Sequence, residues 1–158
     1  TLVHPSDQGI RTISSVLKKE GIDVQIIFMT SEEQRYKRKE IEQLLKYCKG
    51  SDLIGINAFA YTSRKAIQII KFLEKNLGVP IVWGGIHATI CPEECIKHCN
   101  IVCIGEAEKT VVELAKAINN KKPITKIKNL WVKEGDKIIR NDLNFLVDEL
   151  DEIPFPDY

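Results

Sequence analysis

Apolar positions along this chain alternate between two rhythms. Ile10, Ile13, Val16 and Leu17 keep the three-to-four spacing of one helix face, and Glu20-Gly21 follows as a stop. Val24 to Phe28 is a short apolar run, the pattern of a strand. Ile41, Leu44, Leu45 and Cys48 mark a second helix, ended by Gly50. Leu53 to Asn57 is continuously apolar, as expected of a strand covered on both faces. Ala66, Ile69, Ile70 and Leu73 give a third helix, and Pro80 to Trp83 a strand that runs into Gly84-Gly85. A short helix starts near Pro92-Glu93-Glu94, with proline and acids where a first turn favours them. Asn100 to Ile104 is the next strand, and Val111, Leu114, Ala115 and Ile118 share the face of the helix after it. Thr1-Leu2-Val3 reads as the tail of a first strand.

Five strands alternating with helices predict an α/β, Rossmann-like, doubly wound parallel sheet of order 2-1-3-4-5, occupying residues 1–122. After Pro123 the pattern changes. Asn129 to Lys133 and Lys137 to Arg140 flank Glu134-Gly135-Asp136, the signature of a β-hairpin, and residues 123–144 are read as a peripheral extension. Residues 145–158 are rich in acid and proline without a period. They are expected to be a linker, extended and disordered by itself.

The chain has 158 residues, enough for one domain with a sizeable core. Its 23 basic and 22 acidic side chains nearly cancel, which points to neither nucleic acid nor an anionic membrane as partner. The basic run Arg35 to Lys39 lies among Glu32, Glu33, Glu40 and Glu42 and reads as a solvated helix start. No apolar stretch approaches the roughly 20 residues a bilayer span needs. An odd number of cysteines without a secretory signal fits a reducing cytoplasm. Cys91, Cys95, Cys99 and Cys103 recur at every fourth position, but Cys103 belongs to a strand, and the spacing matches no zinc or iron–sulfur motif. They read as small buried hydrophobes.

Ligands of such sheets bind beyond the carboxyl ends of the strands. Those ends carry His4 to Gly9, Asn57 to Ser63, Gly84 to Thr89 and Gly105 to Glu108. The first loop has one glycine, so it lacks the G-x-G-x-x-G of a dinucleotide site. It also lacks the hydroxyl-rich turn of a flavin phosphate loop, and Asn57 stands where a phosphorelay receiver needs aspartate. What remains is a rim of small, neutral groups. Gly84-Gly85 and Gly105 are expected to admit a bulky, flat ligand, or simply to form tight turns. Ala58, Ala60, Thr62 and Ser63 add a low edge with hydroxyl donors.

Val82 to Thr89, Pro92-Glu93-Glu94, Gly105 to Thr110, Glu113-Leu114 and the tail Leu150-Asp151, Ile153 to Pro156 occur in an order that resembles the cobalamin-binding domain of radical-SAM enzymes. That group includes methyltransferases and the anaerobic magnesium-protoporphyrin monomethyl ester oxidative cyclase. The resemblance implies a cobalamin module of a larger enzyme, truncated at both ends. The iron–sulfur cluster and S-adenosylmethionine would belong to a C-terminal barrel of the same polypeptide. It places cobalamin against Pro5, Ser6 and Gly9, against Ala58, Tyr61, Thr62 and Ser63, against Gly84, Gly85, His87, Ala88 and Thr89, and against Gly105 and Glu106. His87 would touch the corrin or hydrogen-bond within its own loop. Tyr61 would lie on the corrin face or be an ordinary exposed tyrosine. Glu106 and Glu108 read as helix-start residues rather than catalytic ones.

No catalytic or metal-ligating residue is assigned. Mutases carry D-x-H-x-x-G after the first strand, but counting back from Gly9 puts Ser6 at the histidine position and His4 at the aspartate position. Bound cobalamin is therefore expected to lack a histidine from the protein on its cobalt. The competing expectation is a small-ligand or protein-interaction module of this fold that has lost cobalamin. A downstream C-x3-C-x2-C would favour the enzyme.

Overall fold

The structure, a computed structural model, describes residues 7–144, 146 and 150–158. Helices α1 (Gln8–Lys19) and α2 (Arg38–Cys48) precede strand β1 (Ile54–Asn57). A 3-10 turn at Ala60–Thr62 leads into α3 (Ser63–Asn76), followed by β2 (Ile81–Gly84), α4 (Ile86–Ile90), α5 (Pro92–Cys95) and β3 (Ile101–Cys103). Helix α6 (Glu108–Asn119) then leads to β4 (Leu130–Glu134), β5 (Lys137–Arg140) and a 3-10 turn at Leu150–Glu152.

The sheet is mixed, in the order β1-β2-β3-β4-β5. Its parallel part, β1-β2-β3, is the predicted third, fourth and fifth strands, adjacent and in the expected order. Side chains alternate between two cores, as the strand period of two requires. Ile56, Trp83 and Val102 face one, with α2 and α3 packed over them. Val82, Ile101 and Cys103 face the other, with Leu114 of α6. Helices on both faces make this the doubly wound α/β architecture.

The other two predicted strands have different fates. The first falls on residues outside those described. Val24 to Phe28, expected as the second, forms no ladder with a described strand. Its intended neighbour in the order 2-1-3-4-5 was the first strand, so its pairing also lies outside the described residues. Ile27 nonetheless packs on the first core.

The hairpin stands at the sheet's edge, yet its first strand is core. β4 pairs antiparallel with β3, and Leu130 and Val132 are 0% and 3% exposed. Burial of side chains this size stabilises by roughly 1.5–3 kcal/mol each. Without β4 the outer side of β3 would be a bare edge.

The acidic tail departs most from expectation. Residues 153–158 have no regular structure but lie against α1, where Asp157 bonds Arg11, Ser14 and Lys18. Composition suggested disorder because it registers local pattern, whereas these contacts join residues 139 to 146 positions apart.

Candidate functional site at the strand ends

Register brings the carboxyl ends of the parallel strands to one edge. Asn57 aligns with Gly84, and Trp83 with Val102. Because β4 runs the other way, its start arrives at the same edge: Cys103 aligns with Leu130. The rim therefore comprises the loops after β1, β2 and β3 together with Asn129 and residues 141–144.

Gly85 has φ +94°, and a β-carbon there would overlap Asn57 Oδ1 and come within 3.0 Å of its Cγ. Glycine is required because the loop folds down onto Asn57. The tight-turn reading is enough to account for glycine at this position. Asn57 Nδ2 in turn donates to Asp7 Oδ2 at 2.9 Å, while Asp7 caps α1 by accepting from the Ile10 amide. Gly105 has φ +70°, again a backbone that side chains rarely adopt. Its amide donates to Thr89 Oγ1, which donates to the Gly85 carbonyl, both at 3.0 Å. One hydroxyl thus joins two loops.

The residues expected to line the site separate by depth. Tyr61 is 79% exposed, and Gly9, Thr89, Gly105 and Glu106 also reach solvent. Gly84 and Gly85 are half-buried. Ala58, Thr62, Ser63, His87 and Ala88 are buried and form the floor. The Thr62 and Ser63 hydroxyls, expected as free donors, bond the Phe59 and Ala60 carbonyls of their own loop at 3.1 and 2.8 Å. Pro5 and Ser6 lie outside the described residues. His87 sits beside Trp83, ring centroids 5.7 Å apart, with Nε2 3.9 Å from a Glu94 carboxylate oxygen. Both His87 Nε2 and Trp83 Nε1 are buried without a hydrogen-bond partner among the described residues. Ala107 occupies the N-cap of α6 with no side-chain bond, leaving Glu108 in the first turn to meet the dipole. Cys95, Cys99 and Cys103 are buried, and burial pushes each thiol up to about 12. No group of three or more potential metal ligands forms among the described residues.

Sequence reasoning missed Asn129. It is 3% exposed at φ +63°, and its side chain donates to the Glu106 carbonyl at 2.6 Å and accepts from the Asn144 amide at 2.5 Å. Its backbone bonds Ile104 and Asp142. The available signal was asparagine's tolerance of left-handed backbone before a hairpin. The apolar members of the rim were missed too. Ile86, Ile90 and Leu143 are 51%, 69% and 60% exposed, and Leu143 approaches Gly105.

Fold and site together define an α/β domain whose strand-end rim is part apolar and part neutral polar. The chain belongs to the B12-binding family: the pattern described as B12 binding domain matches residues 3–115. It is 30% identical over 154 residues to the uncharacterized methyltransferase PH0819 of Pyrococcus horikoshii, covering 95% of this chain and 33% of that protein. The chain thus spans about a third of that relative's length. Among solved structures, it resembles the radical S-adenosylmethionine methyltransferase TsrM of Kitasatospora setae, solved with cobalamin and an iron–sulfur cluster bound. The TM-score is 0.74 at 18% identity, over 98% of this chain and 30% of that one. OxsB, a cobalamin-dependent S-adenosylmethionine radical enzyme solved with aqua-cobalamin and S-adenosylmethionine, gives 0.79 at 21% identity, over 96% and 21%. At these identities the likeness is one of fold.

Proposed function

We propose that this chain is the cobalamin-binding module of a larger radical-SAM enzyme, with cobalamin held on the strand-end rim. The observation that carries the reading is the B12-binding family match spanning β1 to β3, whose loops form the open rim. The residues present fit a large amphipathic ligand. Tyr61, Ile86, Ile90 and Leu143 offer apolar surface, and Thr89 and Gly105 offer polar groups beside it. When bound, cobalamin supplies a cobalt centre for methyl transfer or oxidative cyclisation. The residues of this chain bind it, orient it and cover one side of it from water. The cluster and S-adenosylmethionine would be held by a barrel elsewhere in the same polypeptide, in the cytoplasm.

No described histidine reaches the rim. His87 is buried, and His98 precedes β3, at the opposite edge of the sheet. The cobalt of bound cobalamin would therefore carry no nitrogen from either described histidine; His4 lies outside the described residues. Electron paramagnetic resonance of the cobalt(II) form should show no nitrogen splitting that His4→Ala or His87→Ala removes.

The deciding experiment is a titration with hydroxocobalamin followed in the visible spectrum. The parent should give a saturable change at one equivalent. Tyr61→Ala should bind about threefold to tenfold more weakly with unchanged stability, the effect of losing one aromatic contact of ~0.5–1.5 kcal/mol. Gly85 is a poor probe, since any side chain there displaces Asn57. A parent without spectral response would favour a module for another ligand or a protein.

A further inference from the structure

Residues 152–158 run antiparallel to α1. At the helix's C-terminal end the Glu152 carbonyl accepts from Lys19 Nζ at 3.0 Å. At its N-terminal end the Tyr158 hydroxyl donates to Gln8 Oε1 at 2.8 Å. Asp157 is gripped between them. Its amide donates to the Arg11 carbonyl at 3.1 Å, and its carbonyl accepts from the Arg11 guanidinium at 2.6 Å. Its carboxylate accepts from the Ser14 hydroxyl and the Lys18 ammonium, both at 2.6 Å. Arg11 also lies over the Tyr158 ring, 4.8 Å from its centroid, and over Phe28 at 5.1 Å. Ser14 is the buried residue of α1, at 1% exposure. A buried hydroxyl needs a partner, and here Asp157 is that partner.

The first turn of α1 touches the rim. Asp7, its cap, accepts from Asn57, and the Asn57 side chain lies directly against Gly85. A contiguous line of contacts therefore runs from Asp157 through α1 to the loop after β2. Polar, partly exposed contacts of this kind are of the class that opens locally at low free energy.

We propose that residues 152–158 form an intramolecular strap, with Asp157 as its positioning residue, that holds the first turn of α1 against the Asn57–Gly85 wall of the rim. The geometry of the rim then depends on whether the strap is docked. Only the identity of the rim's ligand rests on the cobalamin reading.

Hydrogen exchange by mass spectrometry on the 158-residue chain tests this, comparing the parent with Asp157→Ala and Ser14→Ala. Both variants should speed exchange about tenfold at the residue-157 amide, which carries the hydrogen-bond protection in 153–158, as expected when a docked segment is released. Exchange should also rise in 7–12 and 57–62, while the hairpin 130–140 stays as in the parent. Faster exchange confined to 153–158 would overturn the proposal, since the tail would then be docked without holding the rim. Unchanged exchange in 153–158 would overturn it too. Should Asp157→Ala loosen the hairpin as well, it has damaged the fold, and Ser14→Ala, which removes one oxygen, decides. Hydroxocobalamin separates the strap from the identity of the ligand. If the parent binds it, coupling is reciprocal and the tail must gain protection; binding without that gain counts against the strap. A parent with no spectral response sinks the cobalamin reading, and the exchange rates of the two variants still decide for or against the strap.

Discussion

The parallel and antiparallel halves of the sheet contribute to the rim in different ways. Strands β1 to β3 supply its loops, with Tyr61, Gly85, Thr89 and Gly105. Strand β4 and the tail supply what fixes those loops in place: Asn129 bonds the Glu106 carbonyl, and Asp157 grips α1. Rim residues and restraining residues thus come from segments far apart in sequence. Loops rich in glycine have little conformational preference of their own, so their shape must be imposed from outside.

If the antiparallel half is core, Leu130→Ala should be the most damaging single change. A fully buried leucine truncated in place costs about 2–5 kcal/mol, read as a lower midpoint in urea. A loss below about 1 kcal/mol would return the hairpin to the status of an appendage. Asn129→Ala should follow, at about 2–3 kcal/mol, because it removes a buried amide and leaves alanine at positive φ. Asn129→Gly relieves the backbone and not the hydrogen bonds, so it should recover only part of that loss. Equal losses for the two variants would mean that backbone strain plays no part. Thr89→Val should cost about 1 kcal/mol, the worth of the bridge between two loops, with Thr89→Ser close to the parent.

The smallest effect concerns the tail, and it depends on pH. The Lys18 ammonium, then the Ser14 hydroxyl, hold the Asp157 carboxyl below the ordinary aspartate range. A carboxyl whose value is depressed in the docked state contributes its stabilisation above the free value and loses it as pH falls through the docked one. Nuclear magnetic resonance of the Asp157 amide should therefore report docking above about pH 4 and release on further acidification. Salt should weaken docking, since the Lys18–Asp157 pair is half-exposed. Release at neutral pH would contradict the ion pair's part in it.

The parallel half was legible because its signal is local. Leu53 to Asn57, Pro80 to Trp83 and Asn100 to Ile104 each declare a covered strand by their own composition. Gly84-Gly85 and Gly105 do lie at the strand ends, and a side chain at Gly85 would meet Asn57. Side-chain direction was not legible. Nothing in the order of residues says that Thr62 and Ser63 turn their hydroxyls onto their own loop, or that His87 lies beneath α4 beside Trp83. Nor does the tail announce its partner. Ser14 reads as one polar residue in a helix until Asp157 arrives to cover it.

The proposed function turns on cobalamin seated on the strand-end rim. The footprint of hydroxocobalamin by hydrogen exchange tests that placement most directly. Slower exchange in 57–62, 84–90 and 105–107, with the hairpin turn at Gly135 unchanged, is the predicted result. Elsewhere on the surface, Lys39, Glu42, Gln43, Lys46 and Tyr47 line a hollow of about 590 Å³ on α2. Slowing confined to α2, with the three loops exchanging as in the free protein, would contradict the placement of cobalamin on the rim.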